Sequence, residues 1–138
     1  MTTEAYIKVS DVMRRELHKI DALATVRAAL QEMVAHGVSS LVIERRDEAD
    51  ELGLVAVTDI AREVIAGHKS PDRVNVYEVM SKPVLTLDED MHIKYGIALL
   101  HRFQLSRGLV TDHDRRLVGI VTLRDMVLRY ASEDAGPK

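Results

Sequence analysis

Apolar residues along the chain fall into short runs separated by charged stretches, and the runs recur. Val12 and Met13 return as Val79 and Met80, an offset of 67 residues. At the same offset Asp21 matches Asp88, Val26 matches Ile93, Leu30 matches Ile97, Met33 matches Leu100, Ser39 matches Ser106 and Val42 matches Leu109. Past the next polar loop the offset becomes 66, pairing Gly53 with Gly119, Val55 with Val121 and Asp59 with Asp125. A single slip placed in a polar loop is what a duplication leaves, whereas chance spreads matches over many offsets.

Both copies predict the same order of elements. A short helical turn opens each (9–14 and 75–80), and a short strand follows (17–20 and 84–87). An amphipathic helix comes next (25–36 and 92–103). In the first copy Val26, Ala29, Leu30 and Met33 share one face, and Gly37 is a natural stop. In the second, Ile93, Gly96, Ile97 and Leu100 take the matching positions. Two apolar strands then flank a charged loop (40–44 and 52–57; 107–111 and 117–121), each run expected to be buried on both faces or nearly so. A closing helix ends each copy (59–66 and 124–131). The order is β-α-β-β-α twice, a mixed α/β (α+β) fold. We assign repeat one to 7–68, a linker to 69–73, repeat two to 74–131 and a loose tail to 132–138, with residues 1–5 expected to fray. A repeat of about sixty residues buries too little surface alone, so the two are expected to share one core.

Composition narrows the chemistry. The 138 residues are 46% hydrophobic and 30% charged, with four Tyr, one Phe and no Trp, so the core must be aliphatic. With 19 basic and 22 acidic residues the net charge is −3, and the pairs Arg14-Arg15, Arg45-Arg46 and Arg115-Arg116 are scattered. That balance gives no footprint for a nucleic-acid polymer. The lack of cysteine excludes disulfides, thiolate catalysis and zinc–thiolate sites. A polar start without a signal-peptide core, and no run long enough to cross a bilayer, predict a soluble, cytoplasmic protein with no membrane contact. None of the six histidines has metal-ligand spacing, so no metal site is expected; His113 falls on the predicted turn between the last two strands. No catalytic constellation, phosphate-binding loop or dinucleotide fingerprint is present.

Two stretches stand out: Gly119-Ile120-Val121-Thr122-Leu123-Arg124-Asp125, and in repeat one Gly53-Leu54-Val55-Ala56-Val57-Thr58-Asp59. Each runs from the last strand of its repeat into the closing helix. Here the chain resembles the cystathionine-β-synthase (CBS) domain family, whose motif reads Gly, apolar, any, Thr or Ser, any, any, Asp. The opening segments Val9-Ser10-Asp11-Val12-Met13 and Val76-Tyr77-Glu78-Val79-Met80 resemble the family's opening turn. The likeness covers about residues 7–131. It implies a tandem pair, or Bateman module, packed with pseudo-two-fold symmetry and holding ligand clefts between the repeats. It also implies a ligand of the AMP, ADP or ATP class, and after those S-adenosylmethionine or NAD(H). Carried over, Asp125 takes the ribose hydroxyls, Thr122 the phosphate, and Gly119 keeps the backbone clear of the ligand. Arg107 stands where many members place a phosphate-contacting Arg or His, and Arg124 lies within reach. Repeat one keeps Asp59 but has Ala56 for the Thr and Ser40 for the Arg, so two unequal clefts are expected.

Bland readings stand beside these. Thr122 and Asp125 spell a helix capping box, and Asp59 reads equally as a helix cap. Arg107 reads equally as solvated or ion-paired surface, and Arg124 reads as surface before it reads as a phosphate contact. The expectation is a non-catalytic, stand-alone regulator that binds an adenine nucleotide, requires no cofactor and signals to a partner protein. The alternative is a ligand-free interaction or dimerisation scaffold. A third reading, an enzyme with an unrecognised site, has no residue set to support it. A homodimer is expected through Ile60, Val64, Ile65, Leu99, Leu100, Met126, Val127 and Tyr130, whose apolar surface exceeds what one small body can hide.

Overall fold

The computed structural model describes residues 5–134. The chain divides into two compact units that do not follow the order of the repeats. One is Leu17–Val84; the other joins Met1–Glu16 to Leu85–Lys138.

In Leu17–Val84 the first long element is α1 (Val26–His36), capped at its start by Thr25, whose hydroxyl accepts from the Ala28 amide at 3.1 Å. Gly37 ends it at φ 64°, a left-handed conformation that favours glycine, and the Val38 amide returns to Met33 O at 3.0 Å. Strands β1 (Ser40–Ile43) and β2 (Gly53–Ala56) pair antiparallel with Leu41 opposite Val55. The strand expected at 17–20 is reduced to one parallel bridge, Lys19 with Val42. The run 17–20 (Leu-His-Lys-Ile) has two polar residues at its centre, whereas its counterpart 84–87 (Val-Leu-Thr-Leu) is apolar enough to form a strand. Helix α2 (Val57–Ile60) leads into a π-helical stretch, Ala61–Ile65, which closes with Ala66 N donating to Ala61 O at 2.8 Å. Val26, Ala29, Met33, Leu41, Val55, Ile60 and Val64 form the core, together with Val74 and Val76.

The second unit repeats this plan. Strand β3 (Thr86–Asp88) lies parallel to β4 (Arg107–Thr111), which pairs antiparallel with β5 (Leu117–Thr122). Helices α3 (Ile93–Arg102) and α4 (Leu123–Asp134) cover the sheet. Helix α4 runs three residues into the stretch read as a loose tail; the remainder of that tail, and residues 1–4, lie outside the described residues. The core gathers Leu87, Ile93, Leu100, Val110, Val121 and Met126, together with Ile7, Val9 and Met13.

Each core is therefore completed by the opening turn of the other repeat. The 3-10 turn Val9–Asp11 belongs to the unit of β3, β4 and β5, and the turn Val76–Glu78 to that of β1 and β2. The docking bonds correspond one for one. Val9 N donates to Met91 O and Val76 N to Ala24 O, both at 2.8 Å. Ile93 N donates to Ile7 O and Val26 N to Val74 O, again at 2.8 Å. The duplication seen in the sequence extends to individual hydrogen bonds.

Candidate functional site

The motif of repeat two sits where β5 turns into α4. Arg107 and Thr122 are register partners at the open ends of β4 and β5, and directly opposed residues project from the same face of a sheet. The junction is fastened by Leu123 N donating to Ser106 O at 2.8 Å. The Thr122 hydroxyl accepts from the Asp125 amide at 3.0 Å, a helix cap. That bond leaves its hydroxyl hydrogen free to donate. Arg107 also donates from Nε to Ser106 Oγ at 3.4 Å.

The Asp125 side chain is 24% exposed, and its carboxylate accepts no hydrogen bond from any described residue. Its nearest charges are loose: Arg14 Nε at 3.7 Å and Arg124 Nη1 at 3.9 Å. Both guanidinium side chains are otherwise largely in solvent. An acidic group held mostly out of water, with its acceptor positions unused and two cations beside it, is equipped to receive donors.

Repeat one has the same backbone and a different use of it. Ser40 and Ala56 are the register partners, and Val57 N donates to Ser39 O at 2.9 Å. Ala56 has no hydroxyl with which to cap. Here the Asp59 carboxylate turns back instead, and Oδ2 accepts from Ala56 N at 3.0 Å. Its other oxygen accepts from Arg62 Nη2, also at 3.0 Å. The capping box is thus split between the repeats: the threonine half operates in repeat two and the aspartate half in repeat one. Arg62 is a site residue that the motif does not contain; its signal was the spacing of three from Asp59 on one helix face. The matching position in repeat two is Leu128.

Gly119 has a structural reason to be glycine. A Cβ there would lie 2.5 Å from Met13 Sδ and 2.9 Å from Arg14 O. Arg14 bridges Ile120 through both backbone bonds, at 2.8 and 3.0 Å. The space Gly119 leaves is filled by the opening segment docked across β5. Gly53 is covered in the same way by Met80 and Ser81, more loosely, at 3.4 Å.

Two other features have no motif residue in them. A cleft of about 820 Å³ lies within Leu17–Val84, with Ile20, Ala22, Ile43, Tyr77 and Met80 as its apolar wall. At its edge Lys82 Nζ lies 2.8 Å from Asp50, whose other partner is Arg46 at 3.0 Å. The Lys82 ammonium and then Arg46 hold the Asp50 carboxyl well below the usual carboxylate range. Elsewhere Asp88, Asp90 and His113 bring potential metal-ligand atoms within 4.8 Å of one another. Their charges are already matched, with His113 at 2.8 Å and Lys8 at 3.2 Å from Asp90. Hydrogen bonding to Asp90, and then the Asp88 charge, raise the His113 imidazole; Lys8 first and His113 second lower the Asp90 carboxyl.

Four of the residues expected on a dimer surface are core instead. Ile60, Val64, Leu100 and Met126 are each at most 2% exposed, because their units close over them. The exposed apolar side chains of α3 and α4 are Tyr95, Val127 and Leu128, with Phe103 just beyond α3. Among the described residues no helix is long and apolar enough to cross a membrane.

Residues 9–66 and 76–132 each match the CBS domain, and the chain belongs to that family. A tandem pair of this kind is a regulatory module. An uncharacterised protein of Methanopyrus kandleri is 31% identical over 122 residues, which are 88% of this chain and 61% of that protein. The chain spans smaller shares, 44% and 23%, of two further curated relatives. Among solved structures, a hexameric CBS-CP12 protein from bloom-forming cyanobacteria superimposes with a TM-score of 0.87 at 26% identity, over 96% of this chain and 76% of that one. A CBS domain pair in complex with 5′-methylthioadenosine and S-adenosyl-L-methionine superimposes with a TM-score of 0.77 at 25% identity, over 92% of this chain and 98% of that one.

Proposed function

We propose that the β5–α4 junction binds an adenine nucleotide of the AMP, ADP or ATP class, and that its occupancy is signalled to a partner protein. The carrying observation is the Asp125 carboxylate, largely shielded yet accepting no hydrogen bond among the described residues. A ribose presents two adjacent hydroxyls, the donor pair such a group can accept. The Thr122 hydroxyl, Arg107, Arg124 and the start of α4 supply the positive side that a phosphate requires. The solved relative bound to two adenosine compounds supports the adenosine part of the ligand.

Signalling needs no chemistry in this chain, only a ligand that favours one state of the module over another. Self-association through Tyr95, Phe103, Val127 and Leu128 would give that state a surface to act on, in a cytoplasmic setting. Calorimetric titration with AMP and ATP tests the proposal. Binding to the wild type that disappears in Asp125→Ala, with the circular dichroism spectrum retained, is the expected result. Equal binding by wild type and variant would remove Asp125 from the site, and no binding at all would leave the ligand-free scaffold.

A further inference from the structure

We infer that repeat one is held shut by its own side chains, so that each chain takes a single nucleotide, and that Arg62 and Ala56 are the residues that set this number. The inference rests on the nucleotide-binding reading of repeat two.

The two aspartates occupy matching positions on matching backbones, but their carboxylates are in opposite conditions. Among the described residues Asp125 Oδ1 and Oδ2 accept no hydrogen bond, and guanidinium nitrogens stand off at 3.9 and 3.7 Å. Asp59 Oδ1 and Oδ2 each accept a hydrogen bond at 3.0 Å. Its side chain is also the more covered, 16% exposed against 24%.

The cause is local. An alanine at position 56 leaves the cap to the aspartate, and the aspartate turned inward then meets Arg62, one helical turn on. A charge-assisted bond from a guanidinium is among the stronger hydrogen bonds, and a sugar hydroxyl offers a weaker neutral donor. A ribose arriving at Asp59 must displace one bond and share the other. In repeat two neither obstacle exists: Thr122 supplies the cap, and Leu128 stands where Arg62 would be.

The lock is testable by exchanging its parts between the repeats. Equilibrium dialysis with radiolabelled AMP gives the number of sites per chain. The wild type is expected to bind one AMP, lost in Asp125→Ala. The double variant Ala56→Thr, Arg62→Leu is expected to bind two, the second lost again when Asp59→Ala is added. Conversely Leu128→Arg, at a position half in solvent, is expected to weaken AMP binding about tenfold by placing a guanidinium on Asp125.

A double variant that stays at one site while folded, or a Leu128→Arg protein with wild-type affinity, overturns the lock and leaves the proposed function standing. A wild type that already binds two, one of them dependent on Asp59, overturns it as well. A wild type that binds no AMP overturns the reading beneath it. Should the double variant fail to fold, Leu128→Arg alone decides.

Discussion

The hydroxyl of Thr122 performs two tasks that one substitution can separate. It caps α4 through the Asp125 amide, and it retains a proton to give to a phosphate. Thr122→Val keeps the shape and removes both, and is expected to cost about 1 kcal/mol in a urea titration, the usual value of an N-cap. Thr122→Ser restores the cap, and with it that stability. The spacing of the motif is enough to mark Thr122, Asp125 and Asp59 in the sequence. It does not show which half of the capping box each repeat uses. That choice depends on Ala56, which the motif marks only as a missing hydroxyl, on Arg62, which lies outside the motif, and on carboxylate rotamers that no spacing encodes. Gly119 is legible as a position that must stay small. Its reason is not, because Met13 is remote in sequence and meets it only in the fold.

At the level of elements, the docking of each opening turn over the last strand of a repeat sets the tolerance for side chains there. A methyl group at Gly119 meets both a side chain and the backbone carbonyl of Arg14, which cannot swing away. Gly119→Ala is therefore expected to destabilise by about 1–3 kcal/mol, the usual cost of overpacking. Gly53→Ala meets its nearest atom at 3.3 Å and should cost less. Denaturant unfolding of the two variants side by side measures the difference.

The turn between β4 and β5 gives a pH dependence. The raised imidazole of His113 contributes stability that is fully present below the ordinary histidine value and is lost as pH rises through its folded one. The lowered carboxyl of Asp90 contributes above the ordinary aspartate value and is lost as pH falls through its folded one. Their pairing therefore works best between those ordinary values, about pH 4 to 6.5. Wild type and His113→Gln should differ most in melting temperature near pH 5 and converge as pH rises through the raised imidazole value. An unchanged difference across that range would mean the imidazole acts through packing alone.

Across the molecule, the unit of sequence and the unit of packing are different stretches of chain. The repeats are legible as 7–68 and 74–131 because hydrophobic spacing reports what a segment buries. It does not report against which copy the burial occurs, and the similar opening turns make either choice consistent with the pattern. A fragment of residues 17–84 contains every member of its core, Val74 and Val76 included. A fragment of 7–68 lacks both. The first is expected to give dispersed amide proton resonances and a cooperative melt, the second neither. If 7–68 folded as well as 17–84, the two valines would be incidental to that core.

The crossed bonding of Arg14 with Ile120 also fixes an order of events during translation. Residues 17–84 leave the ribosome as one uninterrupted stretch and can close as soon as the stretch is complete. Ile7, Val9 and Met13 emerge earlier and must wait, greasy and uncovered, until the strands around Gly119 have been made. These apolar residues are made before 17–84 and sheltered only after it, and in that interval a nascent chain of this protein is exposed to capture by chaperones or by its neighbours on the same message.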